Sequence, residues 1–304
     1  MQNIEKSMRS IYWADDGYIL NQRDQSGAEA LIVAKLAPKG NFNDLFTYGI
    51  KPHVYVALHN FLAIWRVKLS GIDLDSFVRS PICDLQKLSG WKELDKLIKQ
   101  SDEWVGSERY YFMAKMMCLA GNYGIGAGEF AMNTLEKSRG TVALTTAEAA
   151  EYLANYHSMF PEIHQWHTQV ENQIRQCRTL YNLFGDPWQY TGAIDPQFFK
   201  EWFAFVPQST VGCITHKAIT KMQLFIEKEN RDWDILQNNH DSFLVQSPIN
   251  EWEECQWKMK ECINMTLTSP SGEEFQMKSE GQTGYNWGPW KAGKNEEGLK
   301  GVAI

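Results

Sequence analysis

Two aspartates far apart in the chain carry the residue types a phosphoryl-transfer site would need. Asp24 lies in NQRDQSGAE, where an apolar strand-like run (GYILNQR, residues 17–23) gives way to a helix-compatible run (GAEALIVAKLA). Asp241 lies in NNHDSFLVQ (238–246), between WDIL and FLV, at what reads as a hairpin tip. Both positions are expected at sheet edges, where a carboxylate reaches solvent. Two carboxylates from separate strands can hold Mg²⁺, which completes its shell with water and substrate phosphates. A pair of such ions can activate an attacking oxygen and stabilise a leaving one. The competing reading is that both are turn-forming aspartates at strand ends.

A third stretch, KMMCLAGNYG (115–124), places Lys115, Leu119 and Tyr123 on one stripe of a helix expected over 108–123. A lysine and an aromatic on one face could clamp a triphosphate and touch a base. Equally, the lysine could be solvated and the aromatic buried. The glycines of GNYGIGAG (121–128) follow a helix rather than a strand, so the strand–turn–helix setting of a dinucleotide loop is missing. His157, His164 and His167 lack a suitably spaced Cys or acidic ligand for zinc. GxSxG is absent.

The elements that must position these residues follow from pattern. A mixed, largely helical region covers 53–70, and short helical pieces are expected in the polar stretch 71–104. Thr145 and Glu148 form a capping box, and Pro161 ends one helix and opens the next. A hairpin turns at Gly185-Asp186. A helix is expected from PQST (207–210) to about Lys228, followed by the NNHDSFLV hairpin and a helix over 250–267. A last strand is expected near EEFQMK and a loose tail from Lys291. This order predicts an α+β fold, an antiparallel sheet unit interrupted by a helical insertion.

The chain has 304 residues, 43% hydrophobic and 22% charged, enough for a large core. No run of 18 apolar residues predicts a membrane span, and the N-terminus lacks an apolar signal region. The six cysteines form no CxxC pair and read as free thiols of a reducing cytosol. The net charge of −7 counts against a generic nucleic-acid binder, though an enzyme can hold its positive charge locally.

Taken in order, these stretches resemble the polymerase module of the family A (polymerase I-like) DNA polymerases, especially bacteriophage-type members. DQSGAEALIVA (24–34) is similar to the first motif, KMMCLAGNYG (115–124) to the second, and NNHDSFLV to the third. YHSMFPEIHQW (156–166) and PQSTVG (207–212) fall between them, as in that family. The resemblance implies a palm over 1–26 and 201–304, with helical fingers over 27–200. It implies that Asp24 and Asp241 bind two Mg²⁺ ions and that Lys115 contacts the phosphates of an incoming dNTP. Tyr123 would sit near the nascent pair, and Glu29 would be the gate against a ribose 2′-OH. His53 would lie near the nucleotide phosphates, Gln208 near the duplex and His240 beside the primer terminus.

The resemblance is broken in places. Tyr111 stands where the family has an arginine, and Arg109 lies off the Lys115 face. Leu119 replaces an aromatic. Ser242 follows the catalytic Asp where cellular members carry an acid, which leaves two acids rather than three. The expected partners are primer-template DNA and a separate polypeptide carrying the thumb and an exonuclease, in the cytoplasm of a phage-infected bacterium. Two other readings follow: a single-subunit RNA polymerase-like enzyme, whose third motif is also His-Asp-Ser, and a non-catalytic remnant that binds nucleic acid or a replication partner.

Overall fold

The computed structural model describes residues 4–5, 8–104 and 109–304. Glu108, the first residue of the helix expected over 108–123, lies outside the described residues. The chain opens with β1 (Tyr18–Gln25) and α1 (Ala28–Leu36). Helices then follow one another: α2 (Asn41–Thr47), α3 (Pro52–Asn60), α4 (Leu62–Lys68), α5 (Leu74–Arg79), α6 (Ile82–Leu85), α7 (Trp91–Lys99), α8 (Ser101–Trp104), α9 (Tyr110–Asn122), α10 (Ala127–Lys137), α11 (Thr146–Met159) and α12 (Pro161–Cys177). Next come the β2–β3 hairpin (Thr179–Tyr181, Pro187–Gln189), α13 (Phe199–Glu229) and the β4–β5 hairpin (Asp234–Asn238, Ser242–Pro248). The chain closes with α14 (Trp252–Ile263), β6 (Thr266–Thr268), β7 (Glu274–Gln276), β8 (Ser279–Gly284), β9 (Asn286–Pro289) and β10 (Gly298–Val302). Among the described residues no helix is long and apolar enough to cross a membrane.

The chain divides into two compact units. The first comprises Met1–Glu29, Tyr181–Asp186 and Val206–Ile304. Its frame is a six-stranded sheet in the order β4-β5-β1-β8-β10-β9, antiparallel except for the β9–β10 pair. β1 lies inside the sheet and is buried along most of its length, so both its faces are covered. On one face Leu20, Leu244, Trp287 and Leu299 form an apolar cluster. Against the other lies α14, which buries Cys255, Gln256, Met259, Cys262 and Ile263, the stripe a 3.6-residue period puts on one side.

The second unit, Ala30–Leu180 with Pro187–Phe205, is almost wholly helical. Its aromatic core runs through Phe42, Tyr156 and Phe160. The Glu162 carboxylate accepts from the Phe42 N–H at 2.5 Å and caps the start of α2. The capping box at Thr145 and Glu148 forms as the spacing predicts, and Pro161 opens α12.

Four expectations are corrected. α13 starts at Phe199 and carries Pro207 in its interior, instead of starting at 207–210. The buried stripe Trp202, Phe203, Val206, Val211 and Ile214 offsets the hydrogen bond the proline cannot make. The helix expected over 250–267 ends at Ile263. EEFQMK is not the last strand, since β7 pairs with β6 in a small separate sheet and three more strands follow. The tail from Lys291 is not loose, because β10 pairs with β8 and β9 in the main sheet. GLKGV has too few β-branched residues to announce a strand, and its neighbours supply the order.

Candidate active site

The first unit holds a cavity of about 420 Å³ whose lining includes Asp24, Asp241, Ser242, Glu280, Asn239 and Arg9. Successive side chains of a strand alternate in face, so Leu20, Gln22 and Asp24 of β1 share one side. That side passes from the apolar cluster at Leu20 to the acids at Asp24. The register sets Asp24 opposite Ser242 on β5 and opposite Glu280 on β8. Asp24 therefore sits near the end of an interior strand, not at a sheet edge as the sequence suggested. Its strand needed two neighbours, and the second, β8, was invisible in the pattern.

Asp241 is carried by the turn between β4 and β5, and hydrogen bonds tie that turn to β1 and α13. The Gln25 N–H donates to the Asp241 carbonyl at 2.9 Å, and the Asn239 N–H to the Ser242 carbonyl at 2.7 Å. The Thr215 hydroxyl donates to the His240 carbonyl at 2.7 Å, and the Gln25 amide donates to Thr215 Oγ1 at 2.7 Å. His240 occupies the left-handed region at φ +71°, a conformation that non-glycine residues adopt only when their surroundings fix it. Its Nε2 lies 3.7 Å from Glu29 Oε1. The Glu29 carboxylate raises the His240 pKa against the opposing effect of burial, and Asp241 adds to the rise.

Arg9 faces the acids from the cavity wall, with its guanidinium 4.3 Å above the Trp287 ring. Burial lowers its pKa, while attraction to Asp241 and Asp24 works the other way. The Trp287 indole donates to Gln22 Oε1 at 2.8 Å and fixes that wall. Asn239 brings both side-chain polar atoms to the cavity buried and without a hydrogen-bond partner. Among the described residues no three His, Cys, Asp or Glu side chains converge as a metal cage. The donor set is that of a hard cation held by one or two carboxylates, with water and substrate oxygens filling its shell. Asp24 and Asp241 fit Mg²⁺ in that manner.

In the second unit, α9 presents Lys115 to solvent with its Nζ 4.5 Å above the Tyr111 ring. Tyr111 meets His53 edge-on at 6.0 Å. Burial first, then the charges of Lys115 and Lys51, hold His53 neutral with a pKa of about 4. Lys115 and His53 thus come together around the tyrosine that replaces the expected arginine. Tyr123, at the end of α9, is only 5% exposed. Arg109 stacks on Phe112 at 4.4 Å, while the Asp102 carboxylate accepts from the N–H groups of Tyr111 and Phe112 at the helix start.

The glycines of GNYG serve packing. A Cβ at Gly121 would run into the Tyr156 ring, and Gly124 combines φ +63° with the Phe203 ring 2.8 Å from where its Cβ would be. His167 stacks on Phe203 at 3.9 Å and bonds the Asn122 carbonyl through Nε2 at 2.8 Å. Gln208 is exposed on α13.

Sequence reasoning missed Glu280 and Arg9 as neighbours of the aspartates. Glu280 lies in SEGQTG, a polar strand with no β-branched signal apart from one threonine, so only the sheet register finds it.

No family model and no curated protein sequence matches this chain. Among solved structures, the chain is similar to the polymerase domain of Pol1 from M. smegmatis, in complex with DNA primer-template and dNTP, with a TM-score of 0.66 and 18% identity. The match covers 94% of this chain and 44% of that one, so this chain spans less than half of the polymerase it matches. The fold is α+β and polymerase I-like, of palm and fingers type.

Proposed function

We propose that this chain is the palm and fingers part of a template-directed DNA polymerase that transfers deoxynucleotides to a primer 3′-OH. The observation that carries the proposal is that Asp24 and Asp241, from opposite ends of the sequence, line one cavity with Arg9 across from them. In this reading the first unit is the palm and the second the fingers, close to the 1–26, 27–200 and 201–304 division of the sequence. Two Mg²⁺ ions bound by Asp24 and Asp241 would supply activation of the attacking oxygen and stabilisation of the leaving pyrophosphate. Phosphoryl transfer otherwise asks the protein for positioning and charge. β1 and the turn before β5 hold Asp24 and Asp241 in place, and Arg9 offsets their repulsion. Lys115 receives the nucleotide phosphates, and neutral His53 beside it offers a hydrogen bond without a competing charge. Tyr123 closes the fingers helix near the nascent pair, Gln208 touches the duplex, and His240 sits at the primer terminus while contacting the gate Glu29.

Ser242 favours a second reading, a single-subunit RNA polymerase-like enzyme. Glu29 separates the two, because a carboxylate at that position crowds a 2′-OH. Grip on the duplex is assigned to protein beyond these 304 residues. Extension of a primed template with dNTPs in Mg²⁺ tests the proposal. It is expected to be distributive and to stop when the metal is chelated. Extension that persists in excess chelator would overturn the two-metal assignment.

A further inference from the structure

Behind the acid cavity, on the opposite face of β1, lies an arginine that the proposed reaction does not use. Arg23 is 1% exposed and follows Gln22 directly into the sheet. Its Nε donates to Gln256 Oε1 at 3.2 Å and its NH1 to Ser279 Oγ at 3.4 Å. Gln256, itself fully buried on α14, donates through Nε2 to the carbonyls of Gln282 on β8 at 2.6 Å and Gln22 on β1 at 3.4 Å. The Ser279 hydroxyl donates in turn to Asn264 Oδ1 at 2.6 Å. Gly281, the register partner of Arg23, leaves room for this network: a Cβ there would stand 2.6 Å from Gln256 Oε1 and 2.7 Å from the Arg23 guanidinium.

The hydrogen-bond partners of the buried guanidinium are neutral. Desolvating such a cation is costly, and a well-packed apolar side chain at a buried ionic position is often as stable or more so. Stability is therefore a poor reason for an arginine here, and strand register is a better one. A slip of one residue between β1 and β8 would turn Glu280 to the wrong face and set Asp24 against a different neighbour. The network joins the two strands at Gln22, Arg23, Ser279 and Gln282, the positions that flank Asp24 and Glu280.

Resting on the reading of the cavity as a metal-dependent site, we propose that Arg23 is a positioning residue. With Gln256 and Ser279 it clamps β1 to β8 from behind and holds Asp24 opposite Glu280. The test is Arg23→Met, a substitution of similar length without charge or donors. Three quantities are read: melting temperature, Mn²⁺ affinity of the protein alone by electron paramagnetic resonance, and the kcat–KM split in primer extension. The expected result is an unchanged or raised melting temperature with a loss of roughly 10–100-fold in Mn²⁺ affinity and kcat, the scale of losing an outer-shell partner. The KM for dNTP should stay within about twofold, since KM rises alone only when uniform substrate binding is lost. Gln256→Glu keeps a partner for Arg23 but removes the donors to both carbonyls, and is expected to show the same loss. It carries the test if Arg23→Met fails to fold. Wild-type Mn²⁺ affinity and kcat in the folded variant would overturn the positioning role. If the wild-type protein itself shows neither Mn²⁺ binding that Asp24→Asn weakens nor extension, the proposed function fails instead.

Discussion

At the scale of single residues, the balance of charge and burial sets how the protein responds to pH. His53, His59 and His167 are each held at a pKa of about 4, chiefly by burial. In the unfolded chain they take up protons near pH 6.5. The unfolded state thus binds more protons between these values, and stability falls as pH drops from about 6.5 toward 4. Each histidine contributes about 2 kcal/mol of loss by pH 5. Chemical denaturation at pH 7 and pH 5 should show it. His59 is the cleanest handle, because its Nε2 is buried without a partner and its ring packs at 4.3 Å on Tyr55. His59→Phe is expected to be about 1 kcal/mol more stable at pH 7 and to lose less on acidification. Equal slopes for the variant and the wild type would show that His59 is not among the groups titrating. The gate is a second residue-scale matter. Glu29→Ala should narrow the preference for deoxynucleotides over ribonucleotides by about tenfold or more, the scale at which a site loses discrimination of a hydroxyl. Competition assays on a primed template would read it.

At the scale of elements, the readable parts of the sequence were those with local chemistry. The capping box at Thr145 and Glu148, Pro161 at a helix start, the turn at Gly185 and the Asn-rich turn before Asp241 each announce themselves within a few residues. β8 and β10 do not. Ser, Gly, Gln and Lys fill them, and they are strands because β1 and one another supply the partners. That is why Asp24 and Asp241 stand out in the sequence and Glu280, which lines the same cavity, does not. Pro207 misled for the opposite reason, as a strong local signal overruled by a buried stripe on both sides of it. Removing residues 290–304 tests the role of β10. Since β10 lies between β8 and β9, the truncation should expose β8 amides to exchange at least about tenfold faster. Unchanged protection would mean the tail adds nothing to the sheet. Thr145→Ala should cost about 1 kcal/mol in thermal or denaturant unfolding, as the loss of a helix cap does.

At the scale of the whole molecule, this sequence takes a polymerase I-like fold at 18% identity to a solved structure that it matches. Around its strands lie Arg23 and Gln256 behind the acids and Glu280 beside Asp24, and in the helical unit a tyrosine lies beneath Lys115. Against a net charge of −7, Arg9 lines the acid cavity and Lys115 lies over the Tyr111 ring. The central claim is that two aspartates from distant segments form one reaction centre. Primer extension in Mg²⁺ by Asp24→Asn and Asp241→Asn, beside the wild type and with circular dichroism of each, tests it most directly. Each variant is expected to stay folded and to lose roughly 10²–10³-fold in extension rate, as losing a main electrostatic stabiliser does. Folded variants that extend a primer at the wild-type rate would contradict the account.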